Sequence, residues 1–273
     1  MDTVAGVPAV SLLGSDEPPP VELVNADGRS RAVLVCDHAS NRIPRQLGTL
    51  GLDAVRLADH IGWDPGAADV ARRLSALLDA ALVLSGYSRL VIDCNRPLHS
   101  VDSIAEQSDG VVIPGNCGLS SRERESRIHA LFRPYHDAIG RLLDSRTRRP
   151  SLLLSIHSFT PILNGQQRPW HIGVSHWRDR RLAALLLGEL ARSGEFTVGD
   201  NEPYPIEDGI DYTIPVHGEG RGLPSVMIEI RQDGIRTAAG ADIWAAQLAR
   251  AYQMIEAEAL RLFGSSFNTI PGI

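Results

Sequence analysis

Short, continuous apolar runs alternate with helix-patterned stretches along this 273-residue chain. Ala32–Cys36, Leu152–Ile156 and Val226–Ile230 lack the apolar–polar alternation of a half-exposed strand. Runs of that kind fit strands covered on both faces, in a sheet flanked by helices. Between them, Pro65–Leu78 places Ala67, Val70, Ala71, Leu74, Leu77 and Leu78 at helical spacing. Ser120 opens a further helix, with Glu123 as its capping-box partner. Ile128, Leu131, Phe132, Tyr135, Ile139, Leu142 and Leu143 then share one face. Arg180–Ser193, stopped by Gly194, and Ala239–Phe263 predict two more helices. Further strands are expected at Val21–Asn25, Ala81–Leu84, Leu90–Ile92 and Ile172–Val174. The first of these leads through the turn Ala26-Asp27-Gly28 into Ala32–Cys36. The pattern predicts one layered α/β/α domain over 21–273, preceded by a flexible or extended arm over 1–20. Pro97–Leu119 stands apart as a long irregular excursion, and such loops often serve function.

Composition narrows the partners. The net charge of -6 gives no reason to expect nucleic acid or an acidic membrane surface. No apolar run approaches the ~18 residues of a spanning helix. Cys36, Cys94 and Cys117 have no paired spacing, which fits a reducing compartment. Met1-Asp2 does not begin a secretory leader. These features predict a soluble, cytoplasmic protein, a monomer or small homo-oligomer, acting on a small molecule.

The chemistry gathers where apolar runs end. Val33–Cys36 leads into Asp37-His38, and Leu152–Ile156 into His157-Ser158. In open α/β sheets ligands bind at the carboxyl edge, and neutral imidazole is the commonest protein metal ligand. His38 and His157 are therefore candidate metal ligands. A hydrolytic zinc site needs a third ligand and an open position. Asp64 is a candidate, although it could instead cap the helix that follows. Asp59 and His60 compete with it. Asp93-Cys94-Asn95-Arg96 and Glu229-Ile230-Arg231 bring two more polar ends to the same rim. Glu229 lies in an apolar run, where burial would raise its pKa toward that of a general base. Arg89, Arg96 and Arg231 offer guanidinium groups suited to a carboxylate. His217, in a glycine-rich stretch, is placed on a flexible lid.

Taken in order, DHAS, WD, SRLVIDCNR, IHS and EIR resemble the N-formylglutamate amidohydrolase family, over roughly Ala32 to Gly234. The resemblance implies a zinc exopeptidase-like (phosphorylase/hydrolase-like) fold with a mixed, mostly parallel sheet between helices. It also implies a zinc-dependent hydrolase, or one using another divalent metal, that cleaves formate from N-formyl-L-glutamate in amino-acid breakdown. Carried over, His38, His157 and Asp64 match metal positions, and Glu229 matches the general base. Asn95 and Arg96 match the pair that holds a substrate carboxylate; Arg231 and His217 are added to the substrate side. Arg89 is assigned to the oxyanion. Two departures stand out. Ala39-Ser40 follows His38 where the family has Ser-Gly, and Ser155 replaces an aspartate two residues before His157. The second removes a carboxylate partner for that histidine and points to another N-acyl substrate. Rival readings are a zinc exopeptidase or amidase acting on short peptides or cell-wall fragments, and a metal-free protein that senses N-acyl amino acids.

Overall fold

The computed structural model describes residues 11–146, 149 and 151–264. Seven strands form one sheet: β1 (Val21–Val24), β2 (Ala32–Cys36), β3 (Ala81–Ser85), β4 (Leu152–Phe159), β5 (Ile172–Ser175), β6 (Val198–Asp200) and β7 (Ser225–Arg231). Their spatial order is β1-β3-β2-β4-β7-β5-β6. The central four, β3, β2, β4 and β7, run parallel. β1 is antiparallel to β3, and β5 is antiparallel to β7. The sheet is thus mixed and largely parallel, as the continuous apolar runs require.

Helices α2 (Ala67–Leu78), α5 (Arg181–Ala191) and α6 (Ala238–Gly264) cover one face, and α4 (Arg133–Ser145) lies on the other. Strand alternation decides which side chains meet which layer. Leu34, Cys36, Leu154, Ile156, Val226 and Ile228 pack toward α2, α5 and α6. Val33, Val35, Leu153 and Met227 pack with Tyr135, Ile139, Leu142 and Leu143 of α4. The Ser120–Glu123 capping box forms as expected and starts α3 (Ser121–Arg127). Pro134 has no N–H to donate to the turn before it, and the helix widens there into a π turn over Ile128–Phe132. Among the described residues, no helix is long and apolar enough to cross a membrane.

The turn at Ala26-Asp27-Gly28 joins β1 to β2 without pairing them; β3 lies between, and β1 pairs with β3. One expectation fails. Leu90–Ile92 is not a strand but a buried turn, with the Val91 amide bonded back to the Ser88 carbonyl at 3.0 Å. Its apolar side chains join a separate cluster with Leu50, Ile104, Ile113 and Phe132 beneath the 97–119 excursion. Of the amino-terminal arm, residues 1–10 lie outside the described residues. Leu12 is buried in that same cluster, and the Tyr87 hydroxyl donates to the Pro18 carbonyl at 2.8 Å.

Candidate active site

His38 lies two residues beyond β2, whereas His157 and Glu229 lie inside β4 and β7. The two long strands pair in register with Glu229 opposite His157. Alternation turns Ser155, His157, Met227 and Glu229 toward the α4 side of the sheet. There a cavity of about 440 Å³ opens, lined by His38, Asp64, His157, Glu229, Arg89, Asn95 and Arg96 among others.

His38, Asp64 and His157 are all buried and present ligand atoms within 4.8 Å of one another. Asp64 Oδ2 lies 2.9 Å from His157 Nδ1 and 3.4 Å from His38 Nδ1. Each histidine uses its far nitrogen elsewhere: His38 Nε2 meets Asp93 Oδ1 at 2.7 Å, and His157 Nε2 meets Asp37 Oδ2 at 2.9 Å. A carboxylate behind each ring is the arrangement that orients metal-binding imidazoles. The carboxylates are crossed relative to the sequence. Asp37, next to His38 in the chain, serves His157, because alternation turns it onto the face of β4's odd-numbered residues. Asp93 serves His38. Ser155 is no simple loss: its hydroxyl lies 2.9 Å from both Asp37 Oδ2 and His157 Nε2, and Thr213 Oγ1 donates to Asp37 Oδ1 at 2.7 Å. The neighbouring strand supplies the carboxylate that Ser155 lacks.

Asp64 does not cap α2. Gly66 occupies that position at φ 84°, while Asp64 Oδ2 accepts from the Ser158 amide at 3.3 Å. Asp59 and His60 are not in the cluster. His60 Nδ1 bonds Asp59 at 2.9 Å, and His60 Nε2 lies 3.3 Å from Asp109.

The charges respond to this crowding. Burial opposes a charged His157, but the hydrogen bonds to Asp37 and Asp64 outweigh it and hold its pKa well above the usual value. Burial likewise opposes ionised Asp64, yet the two histidines hold it far below the carboxylate range. Glu229 takes no hydrogen bond at its buried Oε2; burial raises its pKa to about 7, with the nearby His157, His38 and Arg89 opposing the rise and Asp64 adding to it. His38 Nδ1 and Glu229 Oε2 are buried without hydrogen-bond partners. An orphaned imidazole nitrogen 3.4 Å from Asp64 Oδ2 suits a cation held between them. The donor set, two imidazoles and one carboxylate, fits zinc or a similar divalent ion.

Arg89 donates to Asp93 Oδ2 through Nε at 3.0 Å and Nη2 at 2.7 Å, and its Nη1 lies 3.7 Å from Asp64. Arg96 Nη1 donates to Asp211 at 3.2 Å. Asn95 reaches the cavity, but its Oδ1 already accepts from the Tyr212 and Thr213 amides at 3.1 and 2.9 Å. Its Nδ2 donates to Asp211 at 3.0 Å. Asn95 therefore ties the 211–213 segment to the site.

Two expected substrate residues are not brought into the cavity. Arg231 faces the same side as Glu229 but lies two positions farther along, about 6.6 Å. It bonds Asp233 at 2.9 Å and the Arg168 carbonyl at 3.1 Å. His217 is on no lid: it sits in the helical turn Ile214–Gly218, buried, with Nε2 3.0 Å from His136 Nδ1. His136 Nε2 in turn donates to the Cys94 carbonyl at 2.9 Å. Gly218 is needed for packing, since a side chain there would collide with Ser225 of β7. Asp37, Asp93, Thr213 and Asp211 are the contributors that sequence reasoning left without roles. Asp37 and Asp93 had a visible signal as acidic residues beside apolar runs. Thr213 and Asp211 had none.

Fold and site together define a metal-binding α/β/α hydrolase. The chain belongs to the N-formylglutamate amidohydrolase family, whose model matches residues 30–236. It is similar to the crystal structure of gene product Atu2144 from Agrobacterium tumefaciens, at 40% identity and a TM-score of 0.86, covering 90% of this chain and 99% of that one. The fold also matches N-formylglutamate amidohydrolase from Ralstonia eutropha JMP134, at 19% identity and a TM-score of 0.67, covering 89% of this chain and 99% of that one. No curated protein matches the chain.

Proposed function

We propose that this protein hydrolyses the N-acyl amide of an amino acid, with N-formyl as the reference acyl group. The observation that carries this reading is the meeting of His38, Asp64 and His157 with an unpartnered Glu229 in one cavity. A divalent cation held by those three residues would supply Lewis acidity toward the amide carbonyl and toward water. Glu229 takes a proton from the attacking water and passes it to the leaving nitrogen. Burial raises that carboxyl's pKa, which favours its holding the proton between the two transfers. Arg89, held rigid by Asp93, faces the developing oxyanion. Arg96 keeps the α-carboxylate in place, and Asn95 positions the segment beside it. The products are a carboxylate, formate in the reference case, and a free amino acid.

The test is reconstitution with zinc and other divalent ions, followed by elemental analysis and a formate-release assay on N-formyl amino acids. Stoichiometric metal with formate release is expected. Protein that takes up no metal after reconstitution, or takes it up and hydrolyses no N-acyl amino acid, overturns the reading.

A further inference from the structure

An N-acyl amino acid has three arms: the acyl group, the α-carboxylate and the side chain. The metal site and Arg89 face the first, and Arg96 holds the second. A further pair on the cavity wall, Tyr204 and Arg168, is left for the third.

Arg168 follows a short hairpin, Ile162–Leu163 against Gln166–Gln167, that leaves the end of β4. Leu163 and Asn164 of this hairpin line the cavity. The Arg168 amide closes the hairpin base by donating to the Pro161 carbonyl at 2.9 Å, and Arg231 Nη1 donates to the Arg168 carbonyl at 3.1 Å. Its guanidinium lies over two rings, 4.6 Å from the centre of Tyr204 and 5.8 Å from that of Phe159. Nη1 donates to the Tyr204 hydroxyl at 2.8 Å and to the Thr160 carbonyl at 3.4 Å. Arg168 is half-buried, yet among the described residues no carboxylate pairs with it. Asp109 and Glu207 also line the cavity, and neither forms an ion pair with it. A cation held this way, by rings and neutral oxygens, keeps its charge available to a ligand.

Tyr204, Phe159 and Thr160 all line the cavity. Ser175 Oγ fixes the Tyr204 backbone by donating to its carbonyl at 2.6 Å, and the residue stays 38% exposed, so a ligand can reach it. A guanidinium can only donate. The Tyr204 oxygen is therefore the acceptor toward Arg168, and among the described residues nothing accepts the phenol's own proton. Burial raises the phenol's pKa against the pull of Arg168, so the proton stays on at neutral pH. The charges of Glu229 and Arg89 both act on this phenol, which sets it near the reacting centre.

We infer that the Tyr204 hydroxyl is the donor that holds the oxygen-bearing end of the substrate's side chain, with Arg168 as the positioning residue that aims it and backs it with positive charge. This rests on the amidohydrolase reading for the places of the other two arms. A donor backed by a cation favours a carboxylate over a neutral amide carbonyl, and either over a hydrocarbon end.

The experiment compares kcat/KM for N-formyl-L-glutamate, N-formyl-L-glutamine and N-formyl-L-norvaline on the metal-loaded protein. The three side chains have similar reach and differ in the group at the end. Glutamate is expected to exceed glutamine by about tenfold, and norvaline by more. Tyr204→Phe keeps the ring beneath the guanidinium and removes the donor. It should lower glutamate and glutamine toward norvaline, chiefly through KM. Arg168→Gln should bring glutamate close to glutamine. Equal kcat/KM for the three substrates in the wild type overturns the inference. So does a loss in both variants shared equally by all three, which is what a purely structural role gives. Calorimetric binding of free glutamate, glutamine and norvaline to the same metal-loaded protein gives the ranking without turnover. The expected ranking, flattened by Tyr204→Phe but with no hydrolysis, retires the amidohydrolase reading and keeps the pair as the reader of the side chain. Any other ranking, or no binding by any of the three, retires the inference.

Discussion

Replacing Glu229 by glutamine separates the cost of this carboxyl from its use. In the metal-free protein, burial lifts its pKa from 4.5 to about 7. Below pH 4.5 the group is protonated in both folded and unfolded chains and contributes no difference. As pH rises toward 7 the unfolded chain ionises freely, while the folded chain must either keep the proton or expose a buried charge. Stability is therefore lost over that window, up to about 3 kcal/mol above pH 7. Glutamine has nearly the same shape and does not titrate. Urea unfolding of metal-stripped wild type and Glu229→Gln at pH 4.5 and pH 8 should show the variant gaining about 3 kcal/mol relative to wild type at the higher pH. The same variant, reloaded with metal, should keep its metal and lose roughly 10²–10⁴ in kcat, the usual worth of a general base. Parallel pH profiles for the two proteins would show that Glu229 is not desolvated as described. Unchanged turnover would remove it from the chemistry.

Further outcomes follow from the same geometry. His38 and His157 both have raised pKa values without metal, so metal binding should release about one to two protons and tighten as pH rises; calorimetry in buffers of different ionisation heat measures this, and binding independent of buffer and pH refutes it. Asp93→Asn and Asp37→Asn should each weaken metal affinity about 10–100-fold without abolishing it, read by competition with a chromogenic chelator. Saturating metal at about 100 times Kd should add ~2.7 kcal/mol of stability, visible as a rise in Tm that a chelator reverses. Arg127, buried, donates to the Val91 and Gly115 carbonyls and to Asn116 Oδ1 at 3.0, 2.9 and 2.7 Å. Arg127→Leu leaves those acceptors unpaired and should cost about 3 kcal/mol or more, read by chemical denaturation; a loss below 1 kcal/mol would mean water replaces the guanidinium.

How far the sequence was legible depends on the range of the interactions involved. Continuous apolar runs and 3.6-residue spacing report which faces are covered, and the central strands and main helices follow from them. The Ser120–Glu123 box is local and reads directly. Leu90–Ile92 misled because three buried apolar residues look the same in a strand and in a turn over a second core. The glycine-rich stretch around His217 misled for a similar reason. Its glycines look like freedom, but Gly218 is there so that the turn can close against Ser225.

By itself, the sequence determined the layered α/β architecture and put forward His38, His157 and Glu229 as candidates for one site, with Asp64, Asp59 and His60 competing for the third ligand position. Periodicity, chain-local chemistry and ordered motifs carry that far. Tertiary structure alone decided the partnerships. Strand order and register set Glu229 beside His157, crossed the carboxylates so that Asp37 serves His157 and Asp93 serves His38, and carried Arg231 beyond the cavity. It also brought Asp109 and Glu207 to the cavity wall. Such contacts join residues tens to more than a hundred positions apart. Their energies depend on distance and burial in space, which spacing along a chain does not encode.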